Sequence, residues 1–144
     1  MTDPITIIIP GDAVPKGRAR AFVRNGHVAH YTPDKTTQHE HYLRTMFAIE
    51  MAQRGTQATE VAVAMTVTVY RRIPKGASKK KTAAMMAGAL LPTTKPDLDN
   101  YVKAVLDAAN GVVVKDDAQV TTIIASKRFD DGQGVRTVVT FEAL

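Results

Sequence analysis

The residues best placed to do chemistry together are four aspartates and one lysine. Asp97 and Asp99 flank Leu98, Lys103 follows four residues after Asp99, and Asp116 and Asp117 stand side by side further on. Hard cations such as Mg2+ take oxygen ligands, usually one or a few carboxylates, and keep several waters. A cation held there can neutralise phosphoryl charge, activate water and stabilise a leaving oxygen, the three needs of phosphodiester hydrolysis. Lys103 shares a helical face with Asp99. The same residues also suit structural duties. Asp97 fits a helix N-cap, Asp99 a first-turn acid, Asp99 with Lys103 a surface ion pair, and Asp116-Asp117 a polar turn. Spacing alone leaves both readings open.

Charge supplies the context. The chain has 144 residues, with 19 Lys and Arg against 14 Asp and Glu, net +5. Between Arg71 and Lys95 lie Arg71, Arg72, Lys75, Lys79, Lys80, Lys81 and Lys95, with no acid among them. Lys16, Arg18, Arg20 and Arg24 form a second basic cluster. Concentrated positive charge draws a polyanion within about a Debye length and makes binding salt-dependent. Solvated basic loops would look the same. Several carboxylates gathered in such a protein would repel DNA unless a cation stood between them.

Other classes are disfavoured. The absence of cysteine excludes disulfides, thiolate zinc sites and cysteine nucleophiles. No uncharged apolar run approaches the roughly 18 residues of a membrane span. Met1-Thr2-Asp3-Pro4 lacks the basic start of a signal peptide, so a cytoplasmic protein with no membrane partner is expected. Glycine-rich phosphate loops are absent, and no small-molecule organic cofactor is expected. His39 and His41, at i,i+2, read as solvated, His27 and His30 as surface, and Met85-Met86 as packing.

Several elements must position these residues. Ile5 to Ile9 is a β-branched strand ending at Pro10, and Asn25-Gly26 splits 21–31 into a hairpin. Thr32-Pro33-Asp34 opens a helix that runs to Arg54 and stops at Gly55, with Leu43, Met46, Phe47 and Glu50 on one side. Val61, Val63, Met65, Val67 and Val69 alternate as a strand, and a short helix is expected over 78–86. A second main helix spans 98–110, with Leu98, Val102, Val105 and Ala109 as its buried face. Strands over 119–128 and 135–141 finish the chain, joined by a turn at Asp130-Asp131-Gly132. Steady βαβ alternation is absent. The expectation is an α+β fold, one domain over 1–144, with a mixed sheet packed against two main helices. Asp117 would reach the Asp97 region if the strand after it packs antiparallel to the helix before it.

The motif Lys95-Pro96-Asp97-Leu98-Asp99-Asn100-Tyr101-Val102-Lys103, then Asp107 and Asp116-Asp117-Ala118-Gln119-Val120, resembles the RusA family of Holliday junction resolvases. Pro15-Lys16-Gly17-Arg18-Ala19-Arg20 resembles the basic loop of its phage-type members, and Tyr31-Thr32-Pro33-Asp34-Lys35 the opening of their first helix. The resemblance implies a homodimer that binds four-way DNA junctions and makes paired, symmetric cuts with Mg2+, which Mn2+ can replace. It puts the family's essential acids on Asp97, Asp99 and Asp117 and its catalytic lysine on Lys103. Asp116 matches a further acidic position, an additional candidate ligand. Thr93-Thr94-Lys95-Pro96 is less arginine-rich than in some members. The chemistry then suggests Asp97, Asp99 and Asp117 as ligands and Lys103 beside the scissile phosphate. Lys16, Arg18, Arg20, Arg71, Arg72, Lys75, Lys79, Lys80, Lys81 and Lys95 would grip DNA phosphates.

Two rivals stand beside this. A restriction-type nuclease, which Pro96-Asp97 invites, would also need (Asp/Glu)-x-Lys on a nearby strand, and Ala125-Ser126-Lys127 lacks the acid. A non-catalytic basic DNA-binding protein of prophage origin would not need its acids and Lys103 intact.

Overall fold

The computed structural model describes residues 3–15, 20–31 and 34–144. Its elements run β1 (Ile5–Pro10), β2 (Arg20–Arg24), β3 (His27–Tyr31), α1 (Asp34–Arg54), β4 (Val63–Arg71), α2 (Lys79–Met86), α3 (Leu98–Ala109), a 3-10 turn (Asp117–Gln119), β5 (Val120–Phe129) and β6 (Arg136–Ala143). Four strands form one mixed sheet in the order β1-β6-β4-β5, and β2 and β3 pair apart from it. The α+β class is as expected, with α2 as a third, short helix. No helix among the described residues is long and apolar enough to cross a membrane.

Alternation decides which face of the sheet is covered. Ile5, Ile7 and Ile9 of β1, Val63, Met65, Val67 and Val69 of β4, and Val139 and Phe141 of β6 are all buried. Helix α1 sends Leu43, Phe47 and Met51 onto this face, and Phe47 meets Phe141 edge-on at 5.7 Å. Of the stripe expected on α1, Leu43 and Phe47 are buried, while Glu50 instead pairs with Arg54 at 2.7 Å. Val61 is exposed, and the strand begins at Val63. The opposite face shows Thr6, Ile8, Thr66 and Ile124 to solvent. There Arg136 lies 3.8 Å over the Tyr70 ring and pairs with Asp131 at 3.0 Å, which ties down the 130–134 turn.

Asn25 and Gly26 both take positive φ, 50° and 77°, as a two-residue hairpin turn between right-twisted strands requires. Thr32 and Pro33, expected to open α1, lie outside the described residues. Helix α3 buries Tyr101, Ala104, Val105, Ala108 and Ala109. Its buried face is therefore rotated from the expected one, and Leu98 and Val102 are only half-buried.

One arrangement governs the site. Strands β4 and β5 are parallel neighbours, so a crossover must carry the chain back between them. Helix α3 is part of that crossover and runs against both strands, a βαβ unit that the sequence pattern does not reveal. Its first turn sits at the C-terminal ends of β4 and β5, and its last turn at the start of β5.

Candidate active site

The segment entering α3 is held from below by two strand ends. The Lys127 ammonium on β5 donates to Thr94 O at 2.8 Å and Pro96 O at 3.0 Å. Arg71, the last residue of β4, donates to Lys95 O at 3.2 Å. Three successive carbonyls are thus fixed, and Asp97 follows directly.

Asp97 is the N-cap of α3 by backbone, and its carbonyl accepts from Asn100 N at 3.2 Å. Its carboxylate makes no capping hydrogen bond. It lies instead against the Lys95 ammonium, 2.9 Å from Oδ1. Lys95, expected on phosphate, is thus engaged with Asp97. Their side chains are 85% and 54% exposed, so the pair contributes at most about 1 kcal/mol and is readily exchanged. Asp99 is exposed in the first turn. The positive end of the helix favours both carboxylates in their ionised form, and two exposed carboxylates suit a cation that takes one or two of them and keeps its waters. The donor set therefore fits Mg2+.

A groove leads to this turn. Asp12, Lys35, Arg71, Arg72, Pro96 and Tyr101 are among its walls. Arg72 pairs with Asp12 at 3.1 Å. Burial pushes the Tyr101 hydroxyl above its usual range, with Arg71 opposing. Lys75, Lys79, Lys80 and Lys81 are exposed, and Ser78 caps α2 by accepting from Lys81 N at 3.2 Å. Lys16 and Arg18 lie outside the described residues; Arg20 opens β2, and its side chain is likewise outside them.

His39 departs from expectation. It is half-buried, its Nε2 accepts from Val14 N at 3.3 Å, and desolvation lowers its pKa. His41 and His27 are exposed as expected, and the His30 side chain lies outside the described residues. Met85 packs at 8% exposure.

The remaining candidates lie further along the chain, Lys103 on α3 and Asp116 and Asp117 at the 3-10 turn. Lys103 approaches Asp107 at 3.7 Å rather than Asp99. That is longer than the 2.7–2.9 Å typical of a charge-assisted hydrogen bond. Asp116 caps the 3-10 turn, accepting from Ala118 N at 2.9 Å, while its own N–H donates to Gln119 Oε1 at 2.8 Å. Asp117 is half-buried, and its N–H donates to Asn110 Oδ1 at 3.1 Å. Asn110 is the C-cap of α3, whereas Asp97 is its N-cap.

This corrects the expectation that Asp117 folds back beside Asp97. Helix and strand do run antiparallel, but that geometry pairs the end of β5 with the start of α3. A 12-residue helix is about 18 Å long, and Asp97 and Asp117 sit at its two ends. Among the described residues, no three His, Cys, Asp or Glu side chains of one chain gather to hold an ion.

Lys127 and Lys35 are site residues that the sequence does not single out. Lys127 draws notice there only within a restriction-type motif. Nothing local in Ala125-Ser126-Lys127 shows that this strand end lies under the Thr94–Pro96 turn.

Comparison with known proteins bears on the whole chain. The family model described as Endodeoxyribonuclease RusA matches residues 10–142. An uncharacterized protein of Bacillus subtilis (strain 168), YqaN, is 38% identical over 140 residues, covering 95% of this chain and 96% of that one. A match that runs from β1 to β6, with the Asp97 turn and the 3-10 turn both inside it, places this chain in the RusA endodeoxyribonuclease family.

Proposed function

We propose that the protein is a Mg2+-dependent, structure-selective endodeoxyribonuclease that resolves four-way DNA junctions by paired, symmetric hydrolysis, and that it works as a homodimer. The observation that carries this reading is the Asp97 carboxylate. It occupies an N-cap position without making a capping bond, lies two residues before exposed Asp99, and follows directly on Pro96, which lines a groove walled by Lys35, Arg71 and Arg72. Family membership supports it.

Asp97 and Asp99 would hold the cation, with Mn2+ able to replace Mg2+. The ion would supply charge neutralisation at the phosphate and a water of lowered pKa. Lys127 and Arg71 fix the turn that presents Asp97. Lys103, 64% exposed and loosely held, is within one helical turn of Asp99 and would stabilise charge on the phosphate. The groove, with Lys75, Lys79, Lys80 and Lys81, would take backbone phosphates. Asp117 lies by the C-cap of α3, a helix length of about 18 Å from Asp97, too far to join it in one chain. The reading therefore assigns Asp117 to the site of a second copy whose α3 runs the opposite way. Two-fold symmetry suits paired cuts on a two-fold substrate. Asp116 is already committed to its cap and is the weaker ligand.

Cleavage of four-way junction, flap and linear duplex in Mg2+ tests this. The junction should be cut in preference to the duplex. Asp97→Asn should lose at least a hundredfold in cleavage while binding the junction within a few-fold of wild type. Junction binding without cutting in Mg2+ or Mn2+ would favour the non-catalytic DNA-binding reading.

A further inference from the structure

The groove beside the Asp97 turn is not uniformly basic. Lys35, Arg71 and Arg72 are among its walls, and so is Asp12, the one acid among its described lining residues. From Val61 to Pro96 the sequence holds no acid, so the partner that Arg72 lacks locally comes from the loop after β1. Asp12 Oδ2 accepts from an Arg72 guanidinium N–H at 3.1 Å. Three bonds fix the backbone that presents Asp12. The Tyr42 hydroxyl donates to Pro10 O at 3.3 Å, Gly11 N–H to Val135 O at 3.0 Å, and Val14 N–H to His39 Nε2 at 3.3 Å. Asp12 lies between two of these anchors. It can swing a short side chain away from Arg72 while its backbone stays at the groove. Its charge also reaches the groove wall. Burial raises the pKa of the Tyr101 hydroxyl, Arg71 opposes the rise, and Asp12 adds to it.

For stability the Arg72–Asp12 contact matters little. The two side chains are 67% and 63% exposed, and exposed ion pairs are weak. For substrate it matters more. A carboxylate and a phosphodiester are both anions that an arginine fork holds through charge-assisted hydrogen bonds. A phosphate on Arg72 would come within a few Å of the Asp12 carboxylate, and like charges that close repel. Arg71, next in the chain to Arg72, bonds Lys95 O at the entry to α3, so the contest takes place beside the Asp97 turn. We propose that Asp12 sets the affinity of the groove for DNA: it holds Arg72 in the place of a substrate phosphate and must be displaced before Arg72 can grip the backbone. The inference rests on the proposed function's placing of DNA phosphates in this groove, and adds the contact that opposes them. Arg72 gains a phosphate only by releasing a carboxylate, so it adds little net affinity in the wild type. DNA already anchored at Lys79, Lys80 and Lys81 presents its phosphate at high effective concentration and displaces Asp12. DNA that touches the groove alone does not.

The test is binding of a labelled linear duplex and a labelled four-way junction in EDTA, read by fluorescence anisotropy, where cutting plays no part. Asp12→Asn should bind both DNAs about five- to tenfold more tightly and steepen the salt slope by roughly 0.9, the mark of one more phosphate contact. It should melt within about two degrees of the wild type, as the loss of an exposed ion pair predicts. Arg72→Gln should weaken binding by less than about threefold in the wild type, yet remove the whole gain in the Asp12→Asn background. Glu60→Gln takes the same charge from the other end of β4, and its affinity should stay within about twofold of wild type. An Asp12→Asn protein with wild-type affinity and slope overturns the proposal. So does a gain that survives Arg72→Gln, or an equal gain from Glu60→Gln. If the wild type cuts junctions while Asp12→Asn binds no more tightly, this inference falls and the nuclease reading stands. Asp12-dependent binding by a protein that cuts no DNA would do the reverse. No DNA binding by either protein would overturn both.

Discussion

An aspartate at a helix N-cap ordinarily contributes about 1 kcal/mol by accepting from the first turn. Asp97 forgoes this, and its carboxylate faces Lys95. Because Asn caps as well as Asp, Asp97→Asn should leave the melting temperature within a degree or two while cleavage is abolished. A large fall in melting temperature would instead make Asp97 structural. Lys127 bears on the same carboxylate at one remove. Lys127→Met removes two bonds to carbonyl oxygens and should cost about 1–3 kcal/mol of stability. It should also raise the Mg2+ concentration needed for half-maximal cleavage, with Lys127→Arg partly restoring it. An unchanged metal titration in Lys127→Met would remove its positioning role. Asp97, Asp99 and Lys103 are legible from motif and resemblance. Lys127 is not, because its partners are backbone oxygens contributed by a distant turn.

Elements are legible where the signal is local. Asn25-Gly26 marks the hairpin, Gly55 the end of α1, and alternation the interior of β4. Tertiary placement is not legible in this way. The buried face of α3 is set by the neighbours it finds, and the end of α3 that Asp117 meets follows from the parallel β4–β5 pairing. Helix α2 carries Lys79, Lys80 and Lys81 in a first turn that holds no acid. Changing the three to Gln should weaken junction binding and lower the salt slope by roughly 0.9 for each phosphate no longer neutralised. A slope equal to wild type would move the DNA surface away from α2.

At the scale of the molecule, two outcomes are separable. Desolvation holds His39 below its ordinary value of 6.5, so the folded protein binds fewer protons there than the unfolded chain. This contribution should be full above pH 6.5 and disappear as pH falls from 6.5 through the lowered folded pKa. His39→Gln, which keeps an acceptor for Val14 N, should flatten that slope in pH-dependent melts; an identical slope would show that another group governs it. The second outcome concerns shared sites. If Asp117 serves the other copy, mixing Asp97→Asn with Asp117→Asn gives heterodimers with one intact site and one doubly altered site. Such mixtures should nick one strand of a junction, where either variant alone is inactive. Failure to regain nicking, with mixed dimers shown to form, would place both residues in the same chain's site.

Helix α3 then acquires a second meaning. If Asp97 serves one reaction centre of a two-fold assembly and Asp117 the other, the 12 residues of α3 between them would be the gauge that separates the two centres. The gauge is about 18 Å, or roughly five base-pair steps at ~3.4 Å each. Inserting one helical turn would lengthen it by about 5.4 Å and put the paired cuts out of step with each other.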